Sequence, residues 1–370
     1  MRNASILLAA TTQQGRTKGE VGLLWLLHHS PLFHDIDFEC NHRIAVEMEE
    51  LKENVMNTDQ GPAQQAPWTY EAMAARVVRY NDLRPCYNAF IDTRTPGSEA
   101  KENFTIIGPG VSENPAQFVH IAEPHGFNIG GARQPPHCVN SQHSHDTAEV
   151  FLVHSGQWRF DLGEHGEDAH VFIGPGDVIS LPTKMFRGFT NVGEDVGFLF
   201  AILGGDDPGK VLWAPKVFEL ASEHGLVLLE TGQLIDKALG QSVPDDAAIM
   251  PATTRQQVDA LIRATPTMGE GLVWRALQNT QHTSIIGPDG ALNWEHGFTL
   301  DRHIVMADRP LNLPAIQTPT VVFVQAGEIT IGFDQAILTL AAGDTMTIPL
   351  GVKSELKAID TATIYIVEGQ

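Results

Sequence analysis

The chain has 370 residues and a formal net charge of −21, because 45 Asp and Glu are set against 24 Lys and Arg. Nucleic acid and anionic membrane surfaces are excluded as partners, since binding phosphate requires concentrated Lys and Arg and the sequence has no run of five basic residues. No apolar stretch approaches the roughly 20 residues of a membrane span. Three widely spaced cysteines suit a reducing compartment, so we expect a soluble, cytoplasmic protein of one large or two ordinary domains.

The N-terminal part of the chain, residues 1–55, shows no clear repeat. Met56 opens a Gln- and Pro-rich stretch typical of a true N-terminus, so we interpret residues 1–55 as an extension or a misplaced start. Residues 56–103 follow as a predicted helical lead-in. Within it, residues 68–80 place apolar side chains three and four positions apart, which predicts a helix.

From Phe104 the pattern changes to short apolar runs bounded by Gly, Pro, Asn or Asp, which indicates strands. Residues 157–162 alternate strictly between polar and apolar side chains, as a half-buried strand does. We therefore predict two strand-rich domains, residues 104–210 and 271–370. Between them, residues 211–270 form a predicted helical linker, with helices over residues 217–221, 233–239 and 253–264.

Three pairs of matching pieces indicate that the two strand-rich domains are copies of one unit. The sequence Ile-Ile-Gly-Pro occurs at 106–109 and again at 285–288. Gly-Asp-Val-Ile-Ser-Leu-Pro at 176–182 matches the pattern of Gly-Asp-Thr-Met-Thr-Ile-Pro at 343–349. The third pair consists of turn glycines that follow a strand, Gly156 and Gly327.

One segment of the first domain concentrates metal-binding residue types, His143, His145 and Glu149. Residues two apart in an extended strand point to the same side, so the two imidazoles project together, and Glu149 can rejoin that face after a short irregularity. Two imidazoles and a carboxylate form a facial ligand set for a first-row divalent metal, with open positions for substrate. The alternative is a surface strand carrying a few of the chain's 16 histidines.

The spacing around this segment resembles the two-part motif of the cupin superfamily. The first part, His-x-His-x(3)-Glu-x(6)-Gly, runs from His143 to Gly156, and the second consists of Gly176, Pro182 and Asn191. This resemblance implies an all-β bicupin, with a double-stranded β-helix barrel in each domain and a metal in the first. The second barrel is expected to be metal-free, because the equivalent positions offer no useful ligand: Pro314, Ile316, Thr320 and Ser354.

Three positions depart from the family pattern. His137 and Lys184 replace glycines that the family usually carries, and Arg187 occupies the position of the third metal histidine. A guanidinium is always protonated and only donates hydrogen bonds, so it cannot bind a cation. Either His143, His145 and Glu149 hold the metal alone or another side chain joins them. His137 is a candidate for that role, and the alternative for it is a solvated loop histidine.

Arg187 is predicted to be a catalytic residue in its own right. Its guanidinium fork would bind a substrate carboxylate through two hydrogen bonds. Two phenylalanines beside it, Phe186 and Phe189, would pack against a planar substrate. The alternative is a structural ion pair between Arg187 and Glu149 in a site without metal.

The architecture also resembles the gentisate and salicylate class of ring-cleaving dioxygenases, which are bicupins with iron in the N-terminal barrel. The resemblance implies Fe(II), with Mn, Ni or Zn as alternatives, and an ortho-hydroxy aromatic acid and O2 as substrates. That class uses three histidines, so two other functions stay open. One is a non-catalytic binding protein for an anionic small molecule. The other is a redox-neutral isomerase or lyase with Zn or Mn and with Glu149 as base. Exposed barrel edges favour a homo-oligomer.

Overall fold

The computed structural model describes residues 68–278, 282–333 and 336–370, and the predicted extension over residues 1–55 lies outside them. Within these segments no helix has the length and apolar character needed to cross a membrane. Helices are short and few. They are α1 (Tyr70–Ala74), α2 (Pro215–Glu223), α3 (Arg255–Asp259) and α4 (Pro266–Gly271), with 3-10 turns at Tyr80–Asp82, Lys237–Leu239 and Ala276–Gln278.

Strands are the most abundant regular structure. The strands that precede residue 275 are β1 (Val77–Val78), β2 (Glu102–Ile107), β3 (Val119–Ile121), β4 (Phe127–Gln134), β5 (Val139–Ser144), β6 (Glu149–Ser155), β7 (Trp158–Leu162), β8 (Ala169–Ile173), β9 (Val178–Leu181), β10 (Arg187–Asn191), β11 (Gly197–Gly204), β12 (Leu212–Trp213), β13 (Leu226–Leu228), β14 (Leu234–Asp236) and β15 (Val273–Trp274). Those that follow are β16 (Thr283–Ile286), β17 (Phe298–Met306), β18 (Leu311–Leu313), β19 (Thr320–Ala326), β20 (Glu328–Phe333), β21 (Ala336–Ala341), β22 (Thr345–Ile348), β23 (Ser354–Ala358) and β24 (Thr361–Gly369).

All of these strands except β13 and β14 form two barrels, each built from a larger and a smaller sheet. The sheets of the first barrel have the orders β15-β9-β6-β11-β4-β2-β3 and β12-β5-β10-β7-β8. Those of the second have the orders β1-β22-β19-β24-β17-β16 and β18-β23-β20-β21. The orders match except that β3 and β12 of the first barrel have no counterpart in the second. The paired turn glycines share a left-handed backbone, with φ of +87° at Gly156 and +80° at Gly327. The all-β prediction of two related barrels is confirmed.

The two barrels exchange short edge strands. β1 precedes the first barrel in the chain but pairs with β22 of the second, placing Val77 opposite Met346. Similarly, β15 precedes the second barrel but pairs with β9 of the first. The helix predicted over residues 68–80 is therefore wrong beyond α1, because Val77 and Val78 continue a sheet instead of a helix.

A shared core joins the barrels. The rings of Phe200 in β11 and Phe323 in β19 stack with their centroids 4.3 Å apart. The Tyr365 hydroxyl of the second barrel donates a hydrogen bond to the Gly176 carbonyl of the first over 2.6 Å. Because these side chains are buried, the interface is continuous with the interior of each larger sheet.

Of the three helices predicted in the linker between the barrels, one is present, one is shorter than predicted and one is absent. The helix predicted over residues 217–221 is present as α2. The one predicted over 253–264 shortens to α3, whose start is fixed by a capping box between Thr254 and Gln257. Residues 233–239 are not a helix: they contain β14, which pairs with β13, and then a 3-10 turn.

Candidate metal centre

The neighbouring strands β5 and β6 bring His143, His145 and Glu149 together. His143 lies near the end of β5, His145 follows that strand directly, and Glu149 begins β6. One ligand atom from each residue lies within 4.8 Å of the other two, and all three side chains are buried. The distance from His145 Nε2 to Glu149 Oε1 is 3.5 Å, and that from His143 Nε2 to Glu149 Oε2 is 3.9 Å.

This donor set fits a divalent metal ion. Bonds of about 2.0–2.2 Å to nitrogen and oxygen place adjacent ligand atoms roughly 3 Å apart, so only a small contraction is needed. His143 Nδ1 lies 2.7 Å from the Ser141 carbonyl, which assigns the proton to Nδ1 and leaves the Nε2 lone pair for the site. Burial and the nearby Arg187 charge lower the pKa of His143 to about 3 and hold the pKa of His145 well below its usual value. Both imidazoles are therefore neutral, as ligands must be.

Arg187 is fully buried at the start of β10, where it pairs with His143 across the sheet. Its Nε donates to Glu149 Oε2 over 3.0 Å and its Nη1 to the Met185 carbonyl over 2.8 Å. The ion pair with Glu149 is thus formed. Burial raises the pKa of the Glu149 carboxyl, and the positive charge of Arg187 opposes this increase.

Arg187 is absent from the wall of the cavity above the cluster, and its Nη2 has no hydrogen-bond partner among the described residues. Phe189 does line the cavity, whereas Phe186 does not and belongs to a hydrophobic cluster that includes Trp213. His137 is exposed and takes no part in the cluster, so it is not an additional ligand. The structure therefore corrects the predictions for Phe186 and His137, whereas a catalytic role for Arg187 stays a prediction.

The cavity has a volume of about 70 Å³, and all three residues of the cluster line it. That is room for about five to seven water molecules, since one water needs roughly 10–15 Å³ by this measure. Most of the wall is apolar, and no Lys or Arg lines it. The largest apolar side chains are Phe90, Phe104, Phe151, Phe189 and Trp213.

The segment before β2 supports the cluster through buried charges that the sequence gave no reason to single out. Asp92 accepts a hydrogen bond from the Ser141 backbone over 2.9 Å and forms an ion pair with Lys101, itself fully buried. Lys101 also donates to Asn140 Oδ1 over 3.2 Å. These contacts fix the course of β5 immediately before His143.

A second support is the contact between Trp213 and Glu113. The indole Nε1 donates to Glu113 Oε1 over 2.7 Å, and the Trp213 ring lies 5.4 Å from that of His143, centroid to centroid. The Ile91 backbone donates to the other oxygen of Glu113 over 2.7 Å. Ile91 and Glu113 lie in loops and Trp213 lies in a two-residue strand, so no periodic pattern marks them in the sequence.

No protein-family model matches the chain, and no curated protein matches it in sequence. Solved structures match over most of its length. One is an oxalate decarboxylase studied for a structural element that modulates proton-coupled electron transfer, with a TM-score of 0.50, 10% identity and coverage of 85% of this chain and 86% of that one. The fold is that of a bicupin.

A second similar bicupin is the oxalate decarboxylase of Lactobacillus farciminis in its formate complex. It has a TM-score of 0.50 and 9% identity, and the match covers 80% of this chain and 86% of that one. Such low identity establishes a shared fold and leaves the reaction to be argued from the site. Neither neighbour supports the expected resemblance to ring-cleaving dioxygenases.

Proposed function

We propose that this bicupin is a metal-dependent lyase that acts on a small carboxylate in a redox-neutral reaction. The observation that carries the proposal is the buried cluster of His143, His145 and Glu149, which opens onto a small apolar cavity. A first-row divalent ion suits these donors, with Mn(II), Fe(II) and Zn(II) as the ions to compare. The fold shared with oxalate decarboxylases is consistent with this reaction class.

The size of the cavity favours a small substrate over an aromatic one. A hydroxybenzoate needs room for a six-membered ring in addition to its carboxylate. A cavity of about 70 Å³ suits a carboxylate of two to four carbons better. For this reason we favour the lyase over the ring-cleaving dioxygenase that the sequence suggested.

Each charged group of the site has a definite role in this proposal. A bound metal ion would supply Lewis acidity toward the substrate carboxylate. The charges of Arg187 and Glu149 offset each other, and the imidazoles are neutral, so the protein groups of the site carry no net charge. The positive charge of a bound metal ion would then attract an anionic substrate. Arg187 also fixes the orientation of the Glu149 carboxylate. The apolar wall keeps bulk water away from the reacting groups.

Elemental analysis tests the metal site. We expect about one metal ion per chain in anaerobically purified protein, and its loss in His145→Ala. His165→Ala is the matched control, because His165 is an exposed loop histidine outside the cluster. A metal-free wild-type protein would favour the anion-binding alternative, in which Arg187 and Glu149 are a purely structural pair.

Turnover without oxygen tests the reaction class. Mn(II)-loaded protein should release CO2 or another cleavage product from a small carboxylate under strict anaerobiosis, and His145→Ala should not. A lyase needs no external oxidant, whereas ring cleavage by a dioxygenase consumes O2. Turnover that occurs only with O2 uptake would restore the dioxygenase interpretation.

A further inference from the structure

We infer that the substrate carries a neutral hydrogen-bonding group in addition to its carboxylate, and that Asn103 and Gln117 select it. A carboxamide is the group that fits best. The inference rests on the proposed function, because it assumes that the carboxylate binds at the cluster of His143, His145 and Glu149. It concerns the other end of the substrate, which lies away from this carboxylate.

Asn103 and Gln117 line the same cavity as the cluster. Asn103 lies in β2 and is only 6% exposed, and Gln117 lies in the loop before β3, the parallel neighbour of β2. Gln117 Nε2 donates to Thr105 Oγ1 over 2.6 Å, which holds the side chain against β2. The two side chains therefore belong to one wall.

Each of these side chains has a buried polar atom without a hydrogen-bond partner among the described residues. For Asn103 the atom is Nδ2, a donor, and for Gln117 it is Oε1, an acceptor. Buried polar atoms are nearly always paired, because an unmade hydrogen bond costs the full desolvation of the group. A ligand with both an acceptor and a donor, as a carboxamide has, would satisfy both atoms.

The charges of the cavity disfavour a second carboxylate at this wall. No Lys or Arg lines the cavity, and Arg187, whose Nη2 has no partner among the described residues, lies outside the wall and pairs with Glu149 through Nε. A second carboxylate would be buried without a cation and could not form a hydrogen bond with Gln117 Oε1, because both groups only accept. A diacid should therefore bind less tightly than the monoamide of the same size, although a metal ion alone would favour the greater negative charge.

Calorimetric titration of the Mn(II)-loaded full chain at neutral pH tests this discrimination. The probes are three pairs that differ only in an amide or an acid at one end: oxamate and oxalate, malonamate and malonate, succinamate and succinate. Three lengths cover the unknown span between the cluster and the amide wall. In the pair of fitting length the amide should bind about 3- to 10-fold more tightly, the effect of a neutral hydrogen bond.

Two variants assign the discrimination to the wall. Asn103→Leu and Gln117→Met should each weaken binding of the preferred amide about 3- to 10-fold and leave binding of the matching acid unchanged. Gln134→Met is the matched control, because Gln134 is a buried glutamine whose side-chain oxygen and nitrogen also lack partners, but it does not line the cavity. It should retain the wild-type preference.

Metal content, measured on every sample, separates the inference from the proposed function. If the wild-type protein binds no metal, both are overturned. If metal binds but each acid binds as tightly as its amide, or more tightly, only the inference is overturned. Should one variant fail to fold, as circular dichroism would show, the other variant and the wild-type ratios still decide.

Discussion

Arg187 Nε donates a hydrogen bond to Glu149 Oε2 over 3.0 Å, and both side chains are buried beside the two histidines of the cluster. A buried carboxylate without a partner would be strongly destabilising. Arginine therefore stands where the cupin motif predicts a metal histidine, and it holds the carboxylate of the candidate metal cluster in place. The consequence is a site whose protein charges cancel before any ion binds.

Removing Arg187 should destabilise the metal-free protein. We expect Arg187→Met to lower the free energy of unfolding by about 3–5 kcal/mol, because Glu149 would be left buried and unpaired. Urea unfolding of the metal-free protein measures this loss. The double variant Arg187→Met/Glu149→Leu should recover much of it, since neither charge remains. Equal stability of the single and double variants would contradict the proposed pairing.

Metal binding should stabilise the folded chain by mass action. With free Mn(II) at about 100 times its dissociation constant, the free energy of unfolding should rise by about 2.7 kcal/mol. Thermal unfolding with and without Mn(II) measures this change. His143→Ala should lose the stabilisation, because its Nε2 faces the cluster. His165→Ala should retain it, and an equal response in both variants would place the ion elsewhere.

The barrels could be predicted from the sequence because the patterns that identify them are local. Short alternating runs, turn glycines and the His143–Glu149 spacing each depend on a few neighbouring residues. The exchange of β1 and β15 could not be predicted in this way. Each of these strands is only two residues long, and its partner lies in the other barrel, so nothing in its own sequence indicates the pairing.

The site was predictable to a similar extent. The three residues of the cluster lie within seven positions, whereas the residues that surround the cavity come from distant loops and strands. Arg187 illustrates the limit, because the family pattern gave its position but burial and the hydrogen bond to Glu149 decide its role. Asn103 and Gln117 carry no sequence signal, since their importance lies in atoms that lack partners.

Glu113 should make stability depend on pH. Burial raises the pKa of its carboxyl to about 8. Between the usual carboxyl pKa and about 8, the unfolded chain has released this proton and the folded chain has kept it. The free energy of unfolding therefore falls as pH rises through this window, by up to about 1.4 kcal/mol per pH unit.

Urea unfolding at about pH 5 and about pH 8 tests this dependence. Glu113→Gln cannot ionise, so its stability should decline less than that of the wild-type protein over the same interval. The comparison between the two proteins isolates Glu113 from other buried acids such as Glu149. Parallel declines would show that Glu113 ionises normally within the fold.

Replacing His137 or Lys184 by glycine should stabilise the folded chain. They are the non-glycine residues with positive φ among the described segments, at +65° and +60°, and they occupy the two positions where cupins usually carry glycine. The left-handed region costs a residue with a Cβ about 1–2 kcal/mol, and glycine loses roughly 0.5–1 kcal/mol of this advantage through its more flexible unfolded state.

Both side chains are exposed, so their removal sacrifices little packing. We therefore expect His137→Gly and Lys184→Gly to raise the free energy of unfolding by about 0.5–1 kcal/mol each, as measured by urea unfolding. His137→Ala and Lys184→Ala are the matched controls, because alanine also removes the side chain but retains the strain. Lys184 donates its backbone N–H to the His145 carbonyl over 3.2 Å, so the turn shapes the loop that carries a residue of the cluster. If glycine were no better than alanine at either position, the left-handed turn would not be the reason for the family's glycines there.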